Sequence, residues 1–399
     1  MYRTGHARCR GLCINALDNL LPLLILTMLI AACAPSGVSP TVGPATSVPS
    51  AEDTQRTPVQ RPCGNGICDG PENPANCPGD CPGTPPTAAG PLPSATFPVS
   101  PEPTVLYLGI MVHLEGWSDG ENQARFEHHV GLMRESATLF EAYGAKLTWE
   151  SKEVTEGIQR WGDNVLSEME QRGHGIGVHA DIGGERDYEC KRNVADLRAE
   201  REQLESLGVV VRHASGIVSH CDWVTAAAEA GYLFTTGQVA YSVMSMPVEL
   251  RPPEYRDCPN PGACHDTFPP ELADRIHPWR MHRGADWLTH DPNGRLVMLP
   301  SSQVLPCFEE ELAETGTRDC VFNLADIDAS IQQLEQAIGL SDPGQVNTYY
   351  VSWSFGTALD QQLLEEWLKQ ILPYVTSGQV QWKSLPEMYD AFVAWESGS

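Results

Sequence analysis

The chain is poor in positive charge. Its 399 residues hold 26 Lys and Arg against 52 Asp and Glu, a formal net charge of −26. Phosphate backbones are gripped by clustered Lys and Arg, so nucleic acid is not expected as a partner. Beyond residue 32 no apolar run is long enough to span a membrane. There is no Gly-x-Ser-x-Gly elbow, and the cysteines are taken up by other duties, which disfavours serine or cysteine nucleophile chemistry. A phosphate-cradling P-loop and a dinucleotide fingerprint are also missing.

What is present at the N-terminus is an export signal. Arg3, Arg8 and Arg10 precede the apolar run Leu20–Ile30, and small residues lead to Cys33. Ile30-Ala31-Ala32-Cys33 resembles the lipobox of bacterial lipoproteins, which implies lipidation of Cys33 and an extracytoplasmic protein anchored to the bacterial cell membrane. An ordinary signal peptide cut near Ala32 is the alternative. In either case residues 1–32 stay outside the fold. Of 13 cysteines, Cys9 and Cys13 leave with the signal and Cys33 takes the lipid, so ten remain, in clusters over 63–81 and 190–320. An even set in an oxidising compartment is read as disulfides. Proximity suggests Cys258–Cys264 and Cys307–Cys320, which leaves Cys190 with Cys221.

Residues 33–62 and 82–104 are rich in Pro, Thr and Ser and cannot bury a core, so they are expected to form a stalk. Between them, 63–81 holds four Cys and almost no hydrophobic residue, as in the short CGNGxC…CxxDC modules of bacterial surface proteins. Asp69, Glu72, Asn73 and Asp80 could bind Ca²⁺ there or simply be solvated. From Val105 onward, short apolar runs alternate with amphipathic stretches, which predicts one α/β domain over 105–399 with a parallel sheet or barrel. Expected strands are 105–112, 146–149, 176–179, 209–212, 296–299, 348–353 and 380–382. Expected helices are 121–143, 162–172, 191–207, 222–230, 324–338, 359–371 and 384–396. A stretch dense in Pro, Cys and His, 241–295, reads as an insertion.

Two strand ends carry the candidate chemistry. His113 and Glu115 are two apart, as are His179 and Asp181, and residues i and i+2 of a strand share a face. On neighbouring parallel strands they would converge at the C-terminal rim, where such sheets place their sites. Imidazole with carboxylate suits Zn²⁺ or a similar divalent ion. The following segment, Arg212–His220, is expected to be a loop adding imidazole to that rim. His128 and His129 are expected to be solvated on their helix, and no role is assigned to His277, His282 and His290.

Glu170-Gln171-Arg172-Gly173-His174-Gly175-Ile176-Gly177-Val178-His179 resembles a segment of the NodB-homology polysaccharide deacetylase family. Arg212–Gly216 with Asp222–Val224 and Ala230–Tyr232 is similar to its third motif, and Val380–Trp395 to its terminal strand and helix. The resemblance implies a distorted (β/α) barrel, one divalent metal and hydrolysis of an acetyl group on a cell-wall, peptidoglycan-type or other extracellular polysaccharide. It also exposes departures. The family's Asp-Asp pair falls on Leu114-Glu115, its second HxxxH histidine on Gly183, and its final-strand histidine on the segment Ser352–Phe355.

Transferred residue by residue, the metal ligands become Glu115, His179 and His220 (or His113), with Asp181 as base and His113 as the second catalytic group. Arg212 and Trp353 are the substrate contacts. Two further readings stand beside this one. The barrel could have lost catalysis and bind surface glycans through Trp117, Trp279, Trp287 or Trp353. It could also host another metal-assisted carbohydrate reaction.

Overall fold

The run Leu106–Leu114 is apolar at nearly every position, as suits a strand covered on both faces. It forms β1 (Leu106–Leu114). The computed structural model describes residues 104–398 except 115–118, 152, 184–186, 218–219, 237–239, 252, 254–255, 257–274, 301–303, 306–320 and 355–358. All of these belong to the compact unit Ser94–Ser399. The signal segment, Cys33, the stalk, the Cys63–Cys81 module with its possible Ca²⁺, and the pairs Cys258–Cys264 and Cys307–Cys320 lie outside the described residues.

After β1 come α1 (Gln123–Ala142), β2 (Leu147–Ser151), α2 (Glu153–Trp161), α3 (Val165–Gln171), β3 (Gly175–Ile182), α4 (Asn193–Glu205), β4 (His213–Ile217), α5 (Trp223–Ala230) and β5 (Phe234–Thr235). They are followed by β6 (Trp279–Met281), β7 (Leu296–Met298), α6 (Leu324–Gly339), β8 (Asn347–Ser354), α7 (Gln361–Thr376), β9 (Val380–Trp382) and α8 (Leu385–Gly398). The sheet order is β6-β7-β5-β4-β3-β2-β1-β8, with β9 on the start of β1. Every pairing is parallel except β6 with β7. The two ends of this order meet. Thr348 donates its N–H to the Ile276 carbonyl just before β6 (2.6 Å), and Val304, beyond β7, bridges to Ser352 of β8. The curled sheet therefore shuts as a distorted (β/α) barrel of the expected class.

Strand alternation divides the apolar side chains between two cores. Leu108, Ile110, Val112 and Leu114 join the outer cluster, which also holds Phe126, Val130, Met133, Ala137 and Phe140 of α1. Met111, Phe234, Val297, Leu299 and Tyr350 join an inner cluster with Leu385, Met388 and Phe392 of α8. The last helix thus plugs the barrel. Gly175 makes room for it, since a Cβ there would stand 2.7 Å from Pro386 Cδ.

Most expected elements appear within a few residues of their sequence positions. The main displacement is the fourth strand. It runs over 213–217, in the segment read as a loop, and 209–212 only leads into it. Its sequence, His-Ala-Ser-Gly-Ile, lacks an apolar signature because His213 and Ser215 face polar partners inside the barrel. The helix α2 and the short strands β5 and β6 were not anticipated, and β6 falls inside the expected insertion. His129 is not simply solvated: its Nδ1 lies 2.7 Å from Asp119 Oδ1.

His174, from the Arg-Gly-His segment, is a structural residue. Its ring is buried, Nδ1 accepts the Leu147 N–H (2.9 Å), and Nε2 lies 3.2 Å from Glu141 Oε1. It ties the start of β2 to the turn before β3. Burial, working against the Glu141 carboxylate, lowers its pKa to about 4 from 6.5. Between these values the unfolded chain takes up a proton that the folded chain refuses. The stabilisation is complete above pH 6.5 and is lost as pH falls through about 4. We predict that His174→Gln flattens the pH dependence of the urea midpoint across this window. An unchanged slope would remove His174 as its source.

Candidate functional site

The site is assembled by the register of four adjacent strands. His113 of β1 is paired with Glu150 of β2, Glu150 with Gly177 of β3, and His179 of β3 with Ser215 of β4. Side chains two apart share a face, so His113 follows Met111 toward the barrel interior, and Leu114 points to the helices. Gly177 has no side chain between Glu150 and β4. A Cβ there would collide with the His213 imidazole, which occupies that space and reaches Glu150.

Glu150 is the hub of this group and is 0% exposed. Its Oε1 lies 3.0 Å from His213 Nε2 and accepts the Thr236 hydroxyl at 2.7 Å. Its Oε2 accepts the Ser215 hydroxyl and lies 3.4 Å from His113 Nδ1. Burial alone would raise the Glu150 carboxyl. The His213 hydrogen bond, the nearby His113 and His213 charges and the Ser215 hydroxyl outweigh it and hold the group below its ordinary value. His213 is itself buried and stacked on Phe234, with ring centroids 4.5 Å apart.

Beside this carboxylate, His113 Nδ1 and His179 Nδ1 stand 2.7 Å apart. Two ring nitrogens at that distance share one hydrogen, or both face a cation. His179 Nδ1 also lies 3.1 Å from Ser215 Oγ, while its Nε2 lies 3.2 Å from Asp181 Oδ1. Asp181 takes a left-handed backbone (φ 46°) within the irregularity between His179 and Ile182, a conformation that Asp tolerates better than most residues. One nitrogen, one carboxylate oxygen and a second nitrogen, from His113, Glu150 and His179, lie within 4.8 Å of one another. Two imidazoles and a carboxylate are a donor set that suits a divalent ion such as Zn²⁺. The residues present therefore fit a metal. Directly beside Asp181 a cavity of about 520 Å³ opens, lined also by Tyr188, Arg192, Asp196 and Glu200.

Of the residues singled out from sequence, His113, His179 and Asp181 come together here. Glu115 and Trp117 lie outside the described residues. His220 does not join the cluster. It lies against the Cys190–Cys221 disulfide, with Nε2 3.7 Å from Cys190 Sγ. That disulfide matches the pairing left by counting, and its sulfurs are bonded to each other rather than available to a metal. Arg212 precedes β4 and is paired with Asp390 of α8 (2.6 Å). Trp353 is 1% exposed and stacks on Phe140 in the outer core, so no substrate reaches it; Trp279 and Trp287 are buried too. Glu150 and Ser215 were missed as members of the site, and His213, in the segment expected to bring imidazole to the rim, was given no role of its own. The available signal was a charged residue following Leu147-Thr148-Trp149 in a strand between the two His-bearing strands.

No protein-family profile matches the sequence, and no curated protein does. Solved structures resemble the fold. A polysaccharide deacetylase from Mycobacterium smegmatis is 13% identical over 74% of this chain and 93% of its own, with a TM-score of 0.44. A polysaccharide deacetylase from Pseudomonas aeruginosa PAO1 is 13% identical over 73% and 91%, with a TM-score of 0.44. Puue allantoinase is 13% identical over 74% and 92%, with a TM-score of 0.46. Polysaccharide deacetylases are thus among the structures this chain resembles. The likeness concerns layout, and one layout hosts many reactions.

Replacing Glu150 with Leu would strand His213 and the Ser215 and Thr236 hydroxyls without their acceptor. Breaking a buried pair from one side costs about 3–5 kcal/mol. Urea unfolding at neutral pH is expected to register a loss of that size for Glu150→Leu. A loss under about 1 kcal/mol would show that the ring around Glu150 is not held as described.

Proposed function

We propose that the barrel is a metal-dependent hydrolase of the polysaccharide deacetylase type, acting on cell-wall or extracellular carbohydrate. The observation that carries this reading is the convergence of His113, Glu150 and His179 at the ends of neighbouring strands. These three residues would hold the ion, which is most simply Zn²⁺. Glu115 and His220, the ligands expected from sequence, are not needed for this set. When bound, the ion would activate water and polarise the acyl carbonyl.

The chain's own residues divide the remaining work. Asp181, with a side chain 40% exposed, is the one carboxylate of this group open to solvent. With an ion in place, it would serve as the base that takes the proton from the attacking water and returns it to the leaving nitrogen or oxygen. His179, bridging Asp181 and the cluster, keeps that carboxylate in place. Glu150 offsets the positive charge gathered at the site. The cavity beside Asp181 is the place for the sugar, and the Tyr188 ring and Arg192 line it. We further propose that the protein is exported and held at the membrane by lipid on Cys33, with the Pro-rich residues as its stalk. The sequence pattern at Ile30–Cys33 supports this reading. Among the described residues, no helix is long and apolar enough to cross a membrane.

A second reading, a glycan-binding barrel without turnover, is favoured by Leu114. It stands where the resemblance asks for a carboxylate and is wholly buried in the outer core. Two measurements separate the readings. Elemental analysis is expected to find about one equivalent of metal per chain, lost in His113→Ala and in His179→Ala. Acetate release from acetylated glycans should persist in the wild type and fall at least about a hundredfold in Asp181→Asn, with metal retained. Absence of metal after soaking would sink the hydrolase reading. Undiminished turnover by Asp181→Asn would remove Asp181 as the base.

A further inference from the structure

A second cavity, of about 720 Å³, lies where the lead-in to β6 meets the start of β8, under the last turns of α8. Gln345, just before β8, lines it, whereas His113 pairs with Ser354 at the other end of that strand. The cavity and the His113–Glu150–His179 group therefore sit at opposite ends of β8. Charge at the cavity is answered inside the protein. Arg280 Nη2 and Nε reach the Glu396 carboxylate at 2.7 and 2.9 Å. The Arg275 guanidinium lies 4.9 Å from the Trp279 ring centroid and donates to the Leu288 carbonyl (2.8 Å). Two imidazoles of the lining are set to opposite roles by the backbone. His277 Nδ1 donates to the Val346 carbonyl (3.2 Å), which leaves Nε2 of the neutral ring an acceptor. His290 Nδ1 accepts the Arg280 N–H (3.3 Å), which leaves its Nε2 a donor. Neither Nε2 has a hydrogen-bond partner among the described residues. Trp395 donates its indole N–H to the Gly344 carbonyl (2.9 Å), rests beside Phe392 (ring centroids 5.9 Å apart) and stays 38% exposed.

We infer that this cavity binds a neutral pyranose oligosaccharide. The volume is in the range of small-ligand sites. An indole fixed at its polar end offers an apolar surface to the C–H face of a pyranose ring. Around it the lining offers a donor at His290 and an acceptor at His277, while the paired Arg280 and Glu396 add no net charge. A hydroxyl both donates and accepts, so a ring carrying several of them answers both imidazoles at once. A carboxylate only accepts and an ammonium only donates, and either would enter with a charge that the lining does not balance. The cavity would let the domain hold a glycan independently of any reaction at the rim, so the inference does not depend on the hydrolase reading.

Calorimetric titration of the full chain with cellotriose, xylotriose and galactotriose tests it, beside trigalacturonate as an anionic sugar and adenosine as a flat heterocycle. Saturable binding of at least one neutral trisaccharide is expected, with trigalacturonate and adenosine weaker. Trp395→Ala and His290→Ala should each weaken that trisaccharide at least about tenfold, while thermal unfolding and metal content stay those of the wild type. Trp395→Phe, which keeps an aromatic face, should retain most of the affinity. If Trp395→Ala disturbs α8, His290→Ala decides the matter. Failure of all three neutral trisaccharides to bind, or undiminished binding by a folded Trp395→Ala or His290→Ala, would overturn the inference. Trigalacturonate or adenosine binding as tightly as the best neutral trisaccharide would overturn the neutral-sugar assignment.

Discussion

A carboxylate removed from water has to be met by protein donors, because the cost of burying an unanswered charge exceeds what a domain's net stability can absorb. Glu150 imposes that condition on this barrel. Its donors come from β4 and from the residue after β5, and His113 of β1 stands at its edge. None of these groups is near it in sequence. They meet only when β1, β2, β3, β4 and β5 lie side by side in one register, and a slip of one residue would turn each of them to the opposite face. The polar ring therefore acts as a register lock as well as a chemical site. Gly177 belongs to the same device, since His213 crosses β3 only because that position carries no side chain.

The barrel interior is divided by the same logic. On one side of the ring, Met111, Phe234, Val297, Leu299 and Tyr350 are apolar, and α8 fills the space with Leu385, Met388 and Phe392. Without that helix the lumen would expose apolar surface. At the ring itself, the groups grade from wholly buried Glu150 and His213, through His113 and His179, to the partly exposed Asp181. The Cys190–Cys221 disulfide lies at the same rim and joins the segment before α4 to the segment after β4.

The sequence was sufficient for whatever depends on local periodicity and counting. Alternating βα texture pointed to the barrel class, the apolar runs located β1, β3 and β8, and the i, i+2 spacing marked His113, His179 and Asp181. Counting cysteines left Cys190 for Cys221. Period-two patterning says which residues share a face, yet not which face looks inward. Trp353 reads as a substrate contact from sequence because it lies in the segment where the resemblance places a final-strand histidine. In the fold its neighbours Ser352 and Ser354 take the inner parity, and Trp353 packs on Phe140.

Tertiary structure decided the rest, because the deciding partners are distant in the chain. Glu150 reads as a charged residue ending a short strand until β4 and β5 supply its donors. The segment His213–Ile217 reads as a loop until Glu150 explains a strand with polar interior residues. His220 and Arg212 carry suitable chemistry, but a disulfide holds one and Asp390 holds the other. Local sequence determined most of the strands and helices, though not β4, and which side chains could do chemistry. The closing of the barrel determined which of those side chains meet, since burial of a charge is satisfied by whatever donors the sheet register brings within reach.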